Sequence, residues 1–155
     1  MENKYDALRL KNQLCFPIYL CSKELIRKYT PMLDELNLTY TQYVVMMYFW
    51  EMNTSNVKDL GIAVLLDSST LTPLLKKLEN KGYITRVRST VDERNLLLSI
   101  TKEGENLKDK ALVIPKKMGM CLDLNEEEAK TLYSLVYKVL ASVEKEEKNV
   151  NNWSK

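Results

Sequence analysis

Apolar residues recur at three to four positions through most of the chain and alternate in one short stretch beyond its middle. Leu14, Ile18, Cys21/Ser22, Leu25 and Tyr29 share one helical face. Pro17 would break a helix interior but suits a first turn, so a helix is expected from near Phe16 to about Tyr29. Residues 8–14 form a preceding turn or helix. Thr39-x-x-Gln42 reads as a capping box ahead of a helix over 43–52. Asn56 caps a helix over 57–65, with Leu60, Ala63 and Val64 inward. Asp67 or Ser68 caps a third short helix over 69–81. Leu71, Leu74, Leu75 and Leu78 are its apolar face and Gly82 its stop.

The period then changes. Tyr83-Ile84-Thr85-Arg86-Val87-Arg88 alternates as a strand does, 89–95 is polar and turn-like, and 96–100 is a second strand closing a hairpin. Thr101-x-x-Gly104 opens a helix to about Lys117. Asn125 caps a last helix with Ala129, Leu132, Val136, Val139, Leu140 and Val143 on one stripe. This order predicts a mainly α fold with a small β-hairpin: a winged helix–turn–helix with an N- and C-terminal helical dimerisation region. The expected organisation is a single domain over 1–155. About 36–101 is the DNA-binding part, and about 1–35 and 102–150 are dimerisation helices. The long apolar stripe of the last helix must be buried against something, and a two-fold dimer would set two recognition helices about 34 Å apart, as a palindromic operator requires.

Composition narrows the chemistry. Of 155 residues, 45% are hydrophobic and 28% charged, a globular balance. Histidine is absent, which excludes histidine triads, the commonest zinc sites and histidine acid–base catalysis. Three cysteines, an odd number with no CxxC pair, make no disulfide framework. No metal or cofactor is expected. The N-terminus carries no apolar signal region, and the longest apolar run, 43–50, is far short of the ~18 residues of a membrane span. A cytoplasmic protein with no membrane partner is the expectation.

The net charge of +2 rules out a uniformly basic coat but not a local patch. Residues 76–94 hold six basic and three acidic side chains, so this segment is +3 and the remainder −1. It comprises much of the expected recognition helix and the hairpin. Ser68, Ser69, Thr70, Thr72, Lys76 and Lys77 lie on the helix's polar face as donors to phosphates and base edges, and the hairpin adds Arg86, Arg88 and Arg94. Asp92, two residues before Arg94, can pin the wing and aim that guanidinium into a narrow minor groove. A solvated charged hairpin would explain the charge alone; its place after a helix–turn–helix favours DNA.

These features resemble the MarR family of bacterial transcription regulators. More narrowly, 8–115 resembles the organic-hydroperoxide-sensing repressors (OhrR type). The matching stretches are Leu14-Cys15-Phe16-Pro17-Ile18-Tyr19, then Leu36-Asn37-Leu38-Thr39-Tyr40-Thr41-Gln42-Tyr43. Further along come Leu66-Asp67-Ser68-Ser69-Thr70-Leu71-Thr72-Pro73-Leu74-Leu75-Lys76 and Asp92-Glu93-Arg94. The wing motif alone is specific only to the broad family; the first and third stretches are narrower. The resemblance implies that Asp67 and Pro73 belong to the DNA-binding element. It implies that Cys15 is the peroxide-reactive cysteine and that Tyr29 and Tyr40 hydrogen-bond its thiolate across a homodimer, with Tyr19 a nearby third tyrosine. Oxidation would weaken operator binding.

The residues support this chemistry on their own. The thiolate is the reactive form, and Pro17 sets Cys15 at a helix N-terminus, where an anion is favoured. Leu14, Phe16 and Ile18 make an apolar surround suited to organic hydroperoxides as oxidants. Cys21 reads as core. Cys121, between the fifth and last helices, is either a resolving partner for oxidised Cys15 of the other subunit or a chance cysteine, with a small thiol capping Cys15 instead. Two other functions stay open. A MarR-type repressor gated by a phenolic or lipophilic ligand would need no thiol chemistry. A thiol peroxidase is disfavoured because no Thr-x-x-Cys motif precedes Cys15, so the expectation is a regulator and not an enzyme.

Overall fold

The computed structural model describes residues 4–88 and 96–153. Two short 3-10 turns, Asp6–Leu8 and Leu10–Asn12, precede α1 (Cys15–Asp34) and α2 (Tyr40–Met52). A strand β1 (Thr54–Asn56) leads into α3 (Val57–Val64) and α4 (Ser68–Asn80). The hairpin is β2 (Ile84–Arg88) and β3 (Leu96–Ile100), followed by α5 (Lys102–Ala111), α6 (Val113–Leu122) and α7 (Glu126–Trp153). The chain packs as two compact units, Met1–Lys116 and Lys117–Lys155.

The helix starts follow the local chemistry read from the sequence. Thr39 accepts from the Gln42 N–H at 3.3 Å while Gln42 Oε1 accepts from the Thr39 N–H at 3.1 Å, a reciprocal capping box. Asn56 accepts from the Asp59 N–H at 2.9 Å and Thr101 from the Gly104 N–H at 3.0 Å. Asn125 and Glu128 form a second capping box at 2.9 and 3.0 Å. Each such cap is worth about 1 kcal/mol.

The core of the larger unit joins the helix–turn–helix to the hairpin. Phe49, Leu60, Leu75, Leu78, Ile84 and Leu98 are all essentially inaccessible. The sheet has the order β1-β3-β2, antiparallel throughout, with Thr54 opposite Ser99 and Arg86 opposite Leu98. The expected hairpin is therefore two strands of a three-stranded sheet. Thr54-Ser55-Asn56 carries no alternation to read, because its pairing is dictated by the second edge of β3.

Other departures have local reasons. Helix α1 continues past Tyr29 through Pro31, because Leu33 is buried and anchors the last turn. The helix opened by Thr101 stops at Ala111 instead of Lys117. Pro115 cannot donate to the Ala111 carbonyl and sits instead in the first turn of α6. In α3 Leu60 is buried and Val64 half-buried, but Ala63 is exposed. Gly104 sits where α5 crosses the start of the hairpin: a Cβ there would lie 2.2 Å from the Tyr83 carbonyl oxygen. The same turn is clamped to α2, with Trp50 Nε1 donating to the Gly104 carbonyl at 2.8 Å and Lys108 Nζ to the Trp50 carbonyl at 3.0 Å.

Candidate DNA-binding and redox site

Helix α4 begins at Asp67, whose extended backbone and carboxylate cap it. The carboxylate accepts from the Ser69 hydroxyl at 2.5 Å, the Thr70 N–H at 2.8 Å and the Thr70 hydroxyl at 3.2 Å. The Ser69 hydroxyl bond, then the Thr70 N–H, hold the Asp67 carboxyl below the usual carboxylate range. The Thr72 hydroxyl donates to the Ser68 carbonyl at 2.7 Å. Of the hydroxyls expected to donate to DNA, those of Ser69, Thr70 and Thr72 thus spend their protons inside the helix's own first turns. These side chains are exposed, and their oxygens keep lone pairs that suit the amino donors of base edges. Asp67 organises this turn. Pro73 lies exposed within α4 and brings no N–H, removing the usual donor to the Ser69 carbonyl.

The basic residues divide. Lys76 and Lys77 on α4 and Arg88 at the end of β2 are exposed. Arg86 is taken: its Nε and Nη2 both reach Glu79 Oε2, at 2.8 and 2.6 Å, in a partly buried ion pair tying β2 to α4. Lys81 reaches the α1–α2 connection, with Nζ donating to the Asn37 carbonyl at 2.5 Å and to Gln42 Oε1 at 3.0 Å. Asp92 and Arg94 lie outside the described residues.

The candidate redox residues sit at the two ends of α1. Cys15 is the first residue of the helix and is exposed. Leu14, Ile18 and Tyr19 beside it are 73%, 49% and 61% exposed, an apolar collar open to solvent on the single chain. Tyr19 lies one turn on from Cys15 and on the same side. Tyr29 follows Cys15 by fourteen positions, about 21 Å along a helix axis, so its hydroxyl does not reach the sulfur of its own chain. It packs instead on Tyr40, ring centroids 4.9 Å apart, and against Tyr43 at 6.1 Å.

Burial raises the Tyr29 phenol above its ordinary value, and Tyr40 adds to the shift. Burial raises Tyr43 too, with smaller contributions from Tyr29 and Tyr40. These two phenols therefore keep their protons at neutral pH and stay hydrogen-bond donors. Tyr43, one turn from Tyr40 and buried, joins this ring cluster, which the sequence reading did not single out.

The other cysteines differ from expectation. Cys21 is exposed on α1 and is no core residue. Cys121 is exposed in the last turn of α6, not in a connection between helices. In the smaller unit, Leu122, Leu124, Ala129, Leu132, Tyr133, Val136 and Tyr137 line an apolar groove of about 360 Å³. The α7 stripe from Leu132 to Val143 is a third to a half exposed on the single chain. Among the described residues no three metal-ligating side chains come together, and no helix is long and apolar enough to cross a membrane.

A helix pair whose second member presents a polar, basic face, followed by a β-hairpin wing, defines a winged helix–turn–helix DNA-binding protein. A family model described as transcriptional regulator SarA/Rot matches residues 27–111. The organic hydroperoxide resistance transcriptional regulator of Bacillus subtilis (strain 168) is 47% identical over 146 residues, 92% of this chain and 97% of that one. Among solved structures, reduced AbfR bound to DNA matches with a TM-score of 0.74 and 30% identity, covering 91% of this chain and 99% of that one. Disulfide-formed AbfR matches with a TM-score of 0.61 and 33% identity over 92% and 94%. The chain belongs to the SarA/Rot family of transcriptional regulators and to the organic hydroperoxide resistance regulators of the MarR type. The expected winged fold and resemblance are borne out, and these relatives are regulators, as the residue pattern implied.

Proposed function

We propose that this protein is a DNA-binding repressor that senses organic hydroperoxides by oxidation of Cys15 and then releases its operator. The carrying observation is the division of α1. An exposed cysteine in an apolar collar stands at its start, and Tyr29, packed on Tyr40, stands about 21 Å further along it. A second copy running the opposite way brings Tyr29 and Tyr40 of one protomer to Cys15 of its partner. The exposed α7 stripe supplies apolar area for the same homodimer, so that 1–35 and 102–150 form the dimerisation region.

The chemistry is a two-electron transfer. The Cys15 thiolate attacks the distal oxygen of the hydroperoxide, an S–O bond forms as the O–O bond breaks, and the alcohol departs with a proton. The sulfenic acid then condenses with the Cys121 thiol of the partner subunit, an S–S bond forming as water leaves. That AbfR has been solved reduced and bound to DNA, and also in a disulfide-formed state, supports this sequence of states. On DNA, the first turn of α4 enters the major groove, Lys76, Lys77 and Arg88 contact phosphates, and Arg94 takes the minor groove beside Asp92.

The test is a DNA-shift assay on the protein's own upstream region. Cumene hydroperoxide releases the wild type, and Cys15→Ser stays bound. The apolar groove beside Tyr133 and Tyr137 favours one second reading, a repressor gated by a lipophilic or phenolic ligand. In that case Cys15→Ser responds as the wild type does.

A further inference from the structure

The far end of the recognition helix is fastened to the turn that carries Tyr40. Lys81 caps α4, its N–H donating to the Lys77 carbonyl at 3.1 Å, and its side chain leaves the helix's last turn towards the α1–α2 connection. There Nζ donates to the Asn37 carbonyl at 2.5 Å and to Gln42 Oε1 at 3.0 Å. Asn37, in the connection after α1, is left-handed with φ of 54°. Gln42 is 3% exposed, a fully enclosed polar side chain, and its Oε1 also takes the Thr39 N–H at 3.1 Å. Two residues past Lys81, the Tyr83 hydroxyl donates to the Leu36 carbonyl at 3.3 Å. Tyr40 follows Thr39 directly and packs on Tyr29.

We propose that Lys81 is the positioning residue that makes the recognition helix follow the tyrosine pair, so that a shift of the turn carrying Tyr40 moves α4. This rests on the reading that Cys15 oxidation is felt through Tyr29 and Tyr40. The physical reason is the cost of letting go. Detaching the helix end would break two charge-assisted hydrogen bonds at once, so the helix end moves with the turn and does not detach from it. Burial, then Lys77, lower the Lys81 ammonium from its ordinary value. One ammonium serves two acceptors, on the α1–α2 connection and in the first turn of α2, so a displacement of either is felt at the same helix end. Lys81 therefore belongs to the switch and not to the phosphate-contacting set, although it adds to the positive charge of its segment.

Fluorescence anisotropy on the upstream DNA, with reduced and cumene-hydroperoxide-treated protein, measures the ratio of oxidised to reduced Kd. Sulfenate trapping with mass spectrometry follows Cys15 separately. In Lys81→Met, Cys15 oxidises at the wild-type rate but the ratio falls at least tenfold, and Lys81→Arg restores most of it. The salt slope of reduced Lys81→Met matches the wild type. An unchanged ratio in Lys81→Met overturns the proposal, as does a slope reduced by about one, which would make Lys81 a phosphate contact. Should Lys81→Met fail to fold, Tyr83→Phe removes the parallel tie without a change of volume. It lowers the ratio by a smaller factor, and an unchanged ratio there overturns the proposal equally. A wild type indifferent to peroxide removes the functional reading, whereas a responsive wild type beside an unchanged Lys81→Met ratio removes this proposal alone.

Discussion

Glu79 on α4 and Arg86 on β2 meet through two contacts on a single carboxylate oxygen, 2.6 and 2.8 Å long, and so lock the wing's first strand to the recognition helix. The arginine's side chain is 21% exposed, largely enclosed by the elements it joins. Arg86→Ala is expected to leave the salt dependence of DNA binding unchanged, because no phosphate contact is lost. Lys76→Ala or Arg88→Ala lowers the slope of log K against log salt by about one. Glu79→Ala lowers stability by about 1 kcal/mol, read as a Tm decrease of a few degrees. Titrations at three salt concentrations and a thermal melt check both.

The Asp67 cap gives a pH dependence with a definite sign. Its folded carboxyl is held below the ordinary value by the Ser69 hydroxyl and Thr70 N–H. Its stabilisation is therefore complete above the unfolded value of about 3.9 and lost as pH falls through the lower, folded value. The Tm of the wild type should fall more steeply below about pH 4 than that of Asp67→Asn, which keeps an acceptor but no titrating proton. Equal slopes would show that Asp67 contributes nothing as an anion.

Two helical glycines should respond in opposite ways to alanine. At Gly104 the new methyl would meet the Tyr83 carbonyl at 2.2 Å, so Gly104→Ala should destabilise by about 2 kcal/mol or more and loosen the α5–hairpin junction. At Gly119, in α6, nothing lies within 4 Å, and Gly119→Ala should be neutral or stabilise by up to about 1 kcal/mol. Urea titration of both variants measures the contrast.

Cys121 and Cys21 should behave differently under oxidant. On a non-reducing gel, cumene hydroperoxide should convert the wild type and Cys21→Ser to a covalent dimer and leave Cys121→Ser monomeric. A dimer that survives Cys121→Ser would assign the resolving step to another thiol.

Much of this molecule is determined by short stretches read alone. Thr39 with Gln42, Asn56, Asp67, Thr101 and Asn125 fix where helices begin, because a cap is a bond between residues three apart. The leucines of α4 and the alternation of β2 fix the helix–hairpin order for the same local reason. Cys15 was legible as a candidate sensor through the resemblance of Leu14–Tyr19 to hydroperoxide-sensing repressors, with Pro17 setting it at a helix start. What the tertiary structure decided are relations between distant residues. It gave β3 a second partner in β1, which carries no pattern of its own. It spent Arg86 on Glu79, seven positions away on another element, and turned Lys81 back to Asn37 and Gln42. It left Cys21 at the surface although its spacing matched an inward face. Charge and periodicity state what a side chain offers; only the packed chain decides which neighbour accepts it.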